Sequence, residues 1–323
     1  MKSRPLFTMS AALVLVVLLS LSVGPLMINP FSADPLQWRI LTDLRLPRVV
    51  VALFMGAALG ASGTVLQGVF RNPLADPYVL GTSSGAALAA AFGLLTTGGG
   101  SFWLVPSLAL FGALLASAVV GLLGRNGWGA ARERLLLSGI GVSFFLSAVL
   151  MLLMSLASAD GVKRAILWMS GDLASADWTL VPAAALLMLA GFILGFGRSR
   201  ALNALALGDE AAFGLGLEPG RERGLLVLAA SLLTAASVAL GGIVGFVGLI
   251  VPHGVRLLAG SDAGRVLPLS ALGGGMILCL ADTVGRSVLP PLEIPAGVVT
   301  ALIGAPWFLV LLRNRDRGGA ETC

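Results

Sequence analysis

Nine stretches of roughly 20 residues with almost no charge dominate the chain, near residues 6–28, 47–70, 78–96, 102–123, 135–157, 179–197, 224–242, 266–289 and 296–312. That is the length a helix needs to cross the hydrocarbon core of a bilayer. A shorter run at 242–258, GIVGFVGLIVPHGVRLL, is broken by Gly and Pro and counts as a further crossing. The fold class that follows is all-α: a polytopic membrane protein of about ten transmembrane helices, in one transmembrane domain over residues 1–323. Composition agrees, because 11% charged residues is less than half the roughly 25% that coats a soluble domain. The first run has Lys2 and Arg4 before it and a small-residue site at Ser22-Val23-Gly24, as a signal peptide would. It stays apolar beyond that site and Pro25 would follow the cut, so it reads as an uncleaved first helix.

The basic pI, near 10.2, does not indicate nucleic acid, since the cations are scattered singly or in pairs between apolar runs. With ten crossings and the N-terminus inside, fifteen of the 21 Lys and Arg fall on the inner side and six on the outer. This is the bias of the positive-inside rule, and it puts both termini in the cytoplasm. Removing the broken run from the count would send the Arg-rich tail to the wrong face.

Several chemistries are excluded cheaply. No GxxxxGK[ST] loop exists, so the chain does not hydrolyse ATP by the P-loop route. A lone histidine, His253, rules out HExxH and His-rich zinc sites; a structural hydrogen bond suits it better than a proton relay. Cys279 and Cys323 form no framework, so no metal site and no bound cofactor are expected. Asp282 is the only clear acid inside an apolar run, which disfavours proton coupling. A sodium site built from backbone carbonyls stays open. An ion-coupled secondary transporter of small solutes is therefore the alternative from another class, with a non-transporting scaffold as a third.

Some local patterns go beyond a generic bundle. RNPLADPYVLGTSSGA at 71–86 reads as a tight turn, with Asn72-Pro73 initiating it and Pro77 opening the next helix. Residues 198–223, too polar to span, hold two short Ala/Leu-rich helical patches separated by Gly, and Asp209-Glu210 forms an acidic helix opening. Arg45-Leu-Pro-Arg48 and Arg286 are outer-face arginines, suited either to anchoring at the interface or to capturing carboxylates of a soluble partner. Ser143, Ser147, Met151 and Ser155, four apart, make a stripe that either packs on a neighbouring helix or lines a water-filled path. Gly56/Gly60, Gly81/Gly85, Gly191/Gly195 and Gly241/Gly245 are GxxxG pairs that argue for tight packing.

Four longer segments, GASGTVLQGVFRNPLADPYVLGTSSGA, LGDEAAFGLGL, GGIVGFVGLIVPHGVRLL and LEIPAGVVTALIGAPWFLVLL, resemble the FecCD-type permeases, in the same order from about Arg45 to Leu312. One departure is Gly260-Ser-Asp-Ala-Gly-Arg265, where that family often has Gly-x-Asp-His-Arg. The resemblance implies a type II ABC importer permease fold and a transport subunit rather than an enzyme. It implies uptake of an iron-siderophore, haem or cobalamin across the bacterial cytoplasmic (inner) membrane. Two copies would form the path between them, as a homodimer. Two cytoplasmic ATPase subunits, which carry the ATP and Mg, would dock on the coupling segment, here Leu207, Gly208, Asp209, Glu210, Ala211, Ala212 and Gly214. A periplasmic or lipid-anchored binding protein would dock through Arg45, Arg48 and Arg286. The resemblance also implies a pore-lining role for the Ser143–Ser155 stripe and an indirect, gating role for the 71–86 turn.

Overall fold

The structure, a computed structural model, describes residues 4–97, 103–124 and 131–318. Its helices are α1 (Arg4–Ser22), α2 (Pro35–Arg39), α3 (Leu46–Phe70), α4 (Thr82–Thr97), α5 (Leu104–Gly124), α6 (Ala131–Ser155) and α7 (Ala159–Met169). They continue as α8 (Val181–Gly197), α9 (Ser199–Leu207), α10 (Asp209–Gly214), α11 (Pro219–Gly241), α12 (Val247–Ala259), α13 (Ala263–Ser287) and α14 (Ala296–Gly318). No strand occurs among the described residues. Among the described residues, five helical stretches are long and apolar enough to span alone: Pro35–Phe70, α5, α6, α11 and α13. The pair α8–α9, bent by 54°, can make a sixth, and α1, α12 and α14 are shorter apolar helices. With α4, these trace ten apolar passages in chain order.

Helix ends follow local chemistry. The first helix stops at Ser22 rather than near 28, because Pro25 lacks the N–H that would continue the ladder. Residues 40–45 form a π-helical turn that leads straight into α3. Pro77 opens a 3₁₀ turn, Pro77–Leu80, and not α4 itself; Gly81 then takes a left-handed φ of 74° before α4 begins at Thr82. The amphipathic α7, capped by Ser158, was not foreseen, since eleven residues with two adjacent cations carry no spanning signal.

The core is built on α3. Its Gly56 and Gly60 lie against the α13 backbone, where an added Cβ would sit 2.2 Å from Gly274 O and 2.1 Å from Ser270 O. Small residues let helix backbones approach this closely in lipid, where dispersion and not water exclusion drives association. Gly85 meets the Gly112 backbone of α5 in the same manner, whereas Gly191 makes room for the Leu233 side chain of α11. Gly241/Gly245 is no packing pair: Gly245 lies past the end of α11, with nothing near its missing Cβ.

Residues 242–246 form a non-helical break between α11 and α12. Gly242 (φ 80°) and Phe246 (φ 67°) turn the chain there. The sole tyrosine, Tyr78, holds the break from both sides: its hydroxyl donates to Val244 O at 3.1 Å and accepts from Val244 N at 3.0 Å. The 71–81 connector is thus clasped to the broken helix, and it supplies backbone partners where the helical ladder has none.

Candidate functional site

At the Arg45 end of the bundle, the three arginines do not form an exposed platform. Arg45 is 5% exposed and Arg286 3%. Arg45 Nη1 donates to Leu21 O (2.6 Å) and Ser22 O (3.0 Å), and its Nη2 donates to Leu26 O. Arg286 Nη2 donates to Ser20 O. The Ser20, Leu21 and Ser22 carbonyls lie in the last turn of α1, which leaves acceptors without intrahelical partners, so both cations serve as its cap. Leu26 O belongs to the segment that follows α1. Only Arg48 reaches toward the surface. Its Nε donates to Asp282 Oδ1 at 2.8 Å and its Nη1 to Glu293 Oε2 at 2.6 Å; Asp282 is 2% exposed and Glu293 37%. Asp282 also faces Arg286, at 3.9 Å. The one acid within an apolar run is therefore neutralised by arginines of α3 and α13. The three arginines outnumber the two carboxylates, which leaves this cluster a net positive charge.

The Ser143–Ser155 stripe is not packed within the chain. Ser143 is half-buried, and Ser147, Met151 and Ser155 are exposed. α6 is the least buried of the long apolar helices. Its first half packs on the connector: a Cβ on Gly139 would lie 2.0 Å from Val79 O. A recess of about 230 Å³ beside it is lined by Val79, Gly139, Ser143 and Ser147. The connector and the stripe, far apart in the sequence, thus share one wall. Within the connector, half-buried Asp76 accepts from Tyr78 N at 2.9 Å, and burial pushes its carboxyl up to about 6 despite that bond. His253 makes an edge contact with Trp307, ring centroids 6.0 Å apart.

At the opposite end of the bundle, α9 and α10 form the two short helices read from the sequence. Gly208, with φ 138°, joins them in a conformation that favours glycine. Asp209 is only partly available, since it accepts from Arg223 Nη2 at 2.7 Å. Arg198 and Glu222, 2.5 Å apart, make a second ion pair that ties α8 to α11. Arg71 Nη2 donates to Leu207 O at 3.2 Å, so the α3–α4 connector caps α9. Ala212 is buried, whereas Glu210, Ala211 and Gly214 are exposed. Leu207, Phe213 and Leu215 are 71%, 58% and 67% exposed. Phe213, in α10, and Leu215, at its C-cap, lie outside the residues singled out in the sequence, since two apolar positions two apart give no helical-face signal. Asp262 of the divergent 260–265 loop caps α13 and accepts from Asn203 Nδ2 of α9 at 2.8 Å, so this loop still joins α9.

The FecCD transport family matches residues 12–314. The chain belongs to that family. It is 38% identical to the hemin transport system permease HmuU of Yersinia pestis, over 97% of this chain and 98% of that one. It is 42% identical to the cobalamin import system permease BtuC of Halobacterium salinarum, over 86% of this chain and 74% of that one. A solved inward-facing ABC transporter of the metal-chelate type superposes with a TM-score of 0.89 at 32% identity, covering 96% of this chain and 99% of that one. Like other FecCD members, the chain is a multi-span membrane permease of the ABC importer type.

Proposed function

We propose that the chain carries a metal chelate (an iron-siderophore, haem or cobalamin) across the bacterial cytoplasmic membrane, working as a homodimer with two separate ATPase subunits and a binding protein. The α9–α10 pair carries this reading. Two short helices project a cluster of exposed apolar side chains, Leu207, Phe213 and Leu215, at the end expected to face the cytoplasm. They are tied back to α11 by Asp209–Arg223 and to the α3–α4 connector by Arg71. A force applied to them therefore reaches α3 and α11 directly. ATP and Mg belong to the partner, and both termini lie on its side.

At the other end, Arg48 offers the docking contact to carboxylates of a binding protein, while Arg45 and Arg286 hold α1 and α13 in place around it. The second copy covers the bare face of α6, which puts Ser143, Ser147, Met151 and Ser155 along the path between copies. Phe213→Asp combined with Leu215→Asp tests the reading. Both positions are exposed, so the chain should still insert and melt as before. Copurification of a P-loop ATPase and uptake of the chelate should both be lost. Retention of both in the double variant would put the ATPase interface elsewhere.

A further inference from the structure

We infer that the cavity between α3, α9, α12 and the loop leading into α13 is a binding site for a phosphate-type oxyanion. It encloses about 340 Å³, and its polar lining includes Thr64, Gln67, Arg71, Asn203, Arg256 and Ser261. Two guanidinium groups thus line one cavity. Among the described residues, neither Arg71 nor Arg256 has a carboxylate within salt-bridge reach, unlike Arg48, Arg198 and Arg223. Their contacts are neutral oxygens: Leu207 O for Arg71 and Gln67 Oε1 for Arg256.

Gln67 explains how Arg256 is aimed. It is 3% exposed, and its Nε2 donates to Gly248 O at 3.3 Å and Leu249 O at 3.1 Å. That leaves its Oε1 to accept from Arg256 Nη1. A neutral amide therefore stands where a glutamate would have cancelled the charge. The nearby acid, Asp262, is committed: Oδ1 accepts from Asn203 Nδ2 and Gly264 N, and Oδ2 is 3.7 Å from Arg265 Nε. A partly desolvated guanidinium without a counter-charge is costly. The free fork of an arginine matches an oxyanion in a bidentate way. Donors rise from the end of α3 (Arg71), from α12 (Arg256) and from the loop before α13 (Ser261). Several walls of donors suit a tetrahedral oxyanion better than a planar carboxylate. A bound oxyanion would bridge α12, which follows the helix break, to the connector that caps α9.

The oxyanion can come from free phosphate or from the headgroup of an anionic phospholipid, whose phosphate, unlike that of phosphatidylcholine, has no choline cation beside it. One experiment separates them. The full chain is placed in nanodiscs of zwitterionic phosphatidylcholine, and its melting temperature is followed against inorganic phosphate, with chloride at equal ionic strength as control. Phosphate should raise the melting temperature saturably. Arg256→Gln and Arg71→Gln should each weaken the apparent affinity roughly tenfold or more, as expected for losing a charge-assisted pair. Gln67→Glu supplies a built-in counter-charge at the expense of the Nε2 bonds to Gly248 O and Leu249 O, and it should lose the response to phosphate. If the headgroup is the source, nanodiscs containing phosphatidylglycerol should stabilise the unaltered chain, added phosphate should add nothing, and Arg71→Gln should lose the effect. Should Arg256→Gln fail to fold, Arg71→Gln and Gln67→Glu carry the test. The site is overturned if neither phosphate nor phosphatidylglycerol acts beyond the chloride control, or if the response persists undiminished in Arg71→Gln and Gln67→Glu.

Discussion

Arg45, Arg48 and Arg286 carry the same charge at the same end of the bundle, yet their surroundings assign them different work. Arg45 is spent on carbonyls 19 to 24 residues earlier in the chain, whereas Arg48 is shared between acids 234 and 245 residues away. The sequence made the three arginines legible as a group. It could not rank them, because the α1 carbonyls and Glu293 meet them only through the tertiary fold. Glu293 now becomes informative. Glu293→Gln keeps the Asp282 pair of Arg48 and releases Nη1 from its exposed carboxylate partner. Capture of the binding protein should then speed up severalfold at low salt and converge with the unaltered chain at high salt, since exposed charges are screened over roughly 8–10 Å. Stopped-flow association at two ionic strengths reads this directly. Equal rates in both would remove Arg48 from the docking contact.

Apolar length located most of the helices, and the elements that escaped it are those whose shape depends on contact. The 71–81 connector contains turn residues in plain view, but its clasp on Val244 requires the chain to return after more than 160 residues. The break at 242–246 was legible from Gly242 and Gly245, and its partner was not. Likewise, GxxxG spacing found Gly56/Gly60 correctly and Gly241/Gly245 wrongly, because spacing alone does not show where a helix stops. Gly63 makes the closest approach of α3 to α12: a Cβ there would sit 1.8 Å from Gly248 O. Gly63→Ala must push α12 away and strain the Gln67 bonds to Gly248 and Leu249. A loss of roughly 1–3 kcal/mol is the usual size of such overpacking, so a lower melting temperature in detergent is expected. Gly121→Ala on α5, with open space around it, should melt as the unaltered chain does. An equal loss in both would mean that the α3–α12 contact is not what stabilises the break.

For the whole molecule, the remaining question is what lies against α6. The sequence cannot answer it, because lipid, a second copy and a chelate path all accept a mostly apolar helix with small polar residues. Met151 is 74% exposed in the single chain, as are apolar neighbours on other faces, among them Phe145 at 68% and Leu152 at 61%. Exposure therefore does not distinguish the path from lipid, but water does. Buried Cys279 and Cys323, which lies outside the described residues, would first be changed to Ser. Single cysteines at Ser143, Ser147 and Ser155 should then react with a membrane-impermeant thiol reagent. Cysteines at half-buried Leu146 and Leu153, turned away from the stripe, should not. In the assembled importer the pattern should also shift between nucleotide-free and ATP-trapped states, because alternating access moves water from one end of a path to the other. Ser143, beside the connector recess, and Ser155, a little over three turns along the helix, should change in opposite directions. Protection of all three serine positions in both states would assign the stripe to the contact between copies and move the path to other helices.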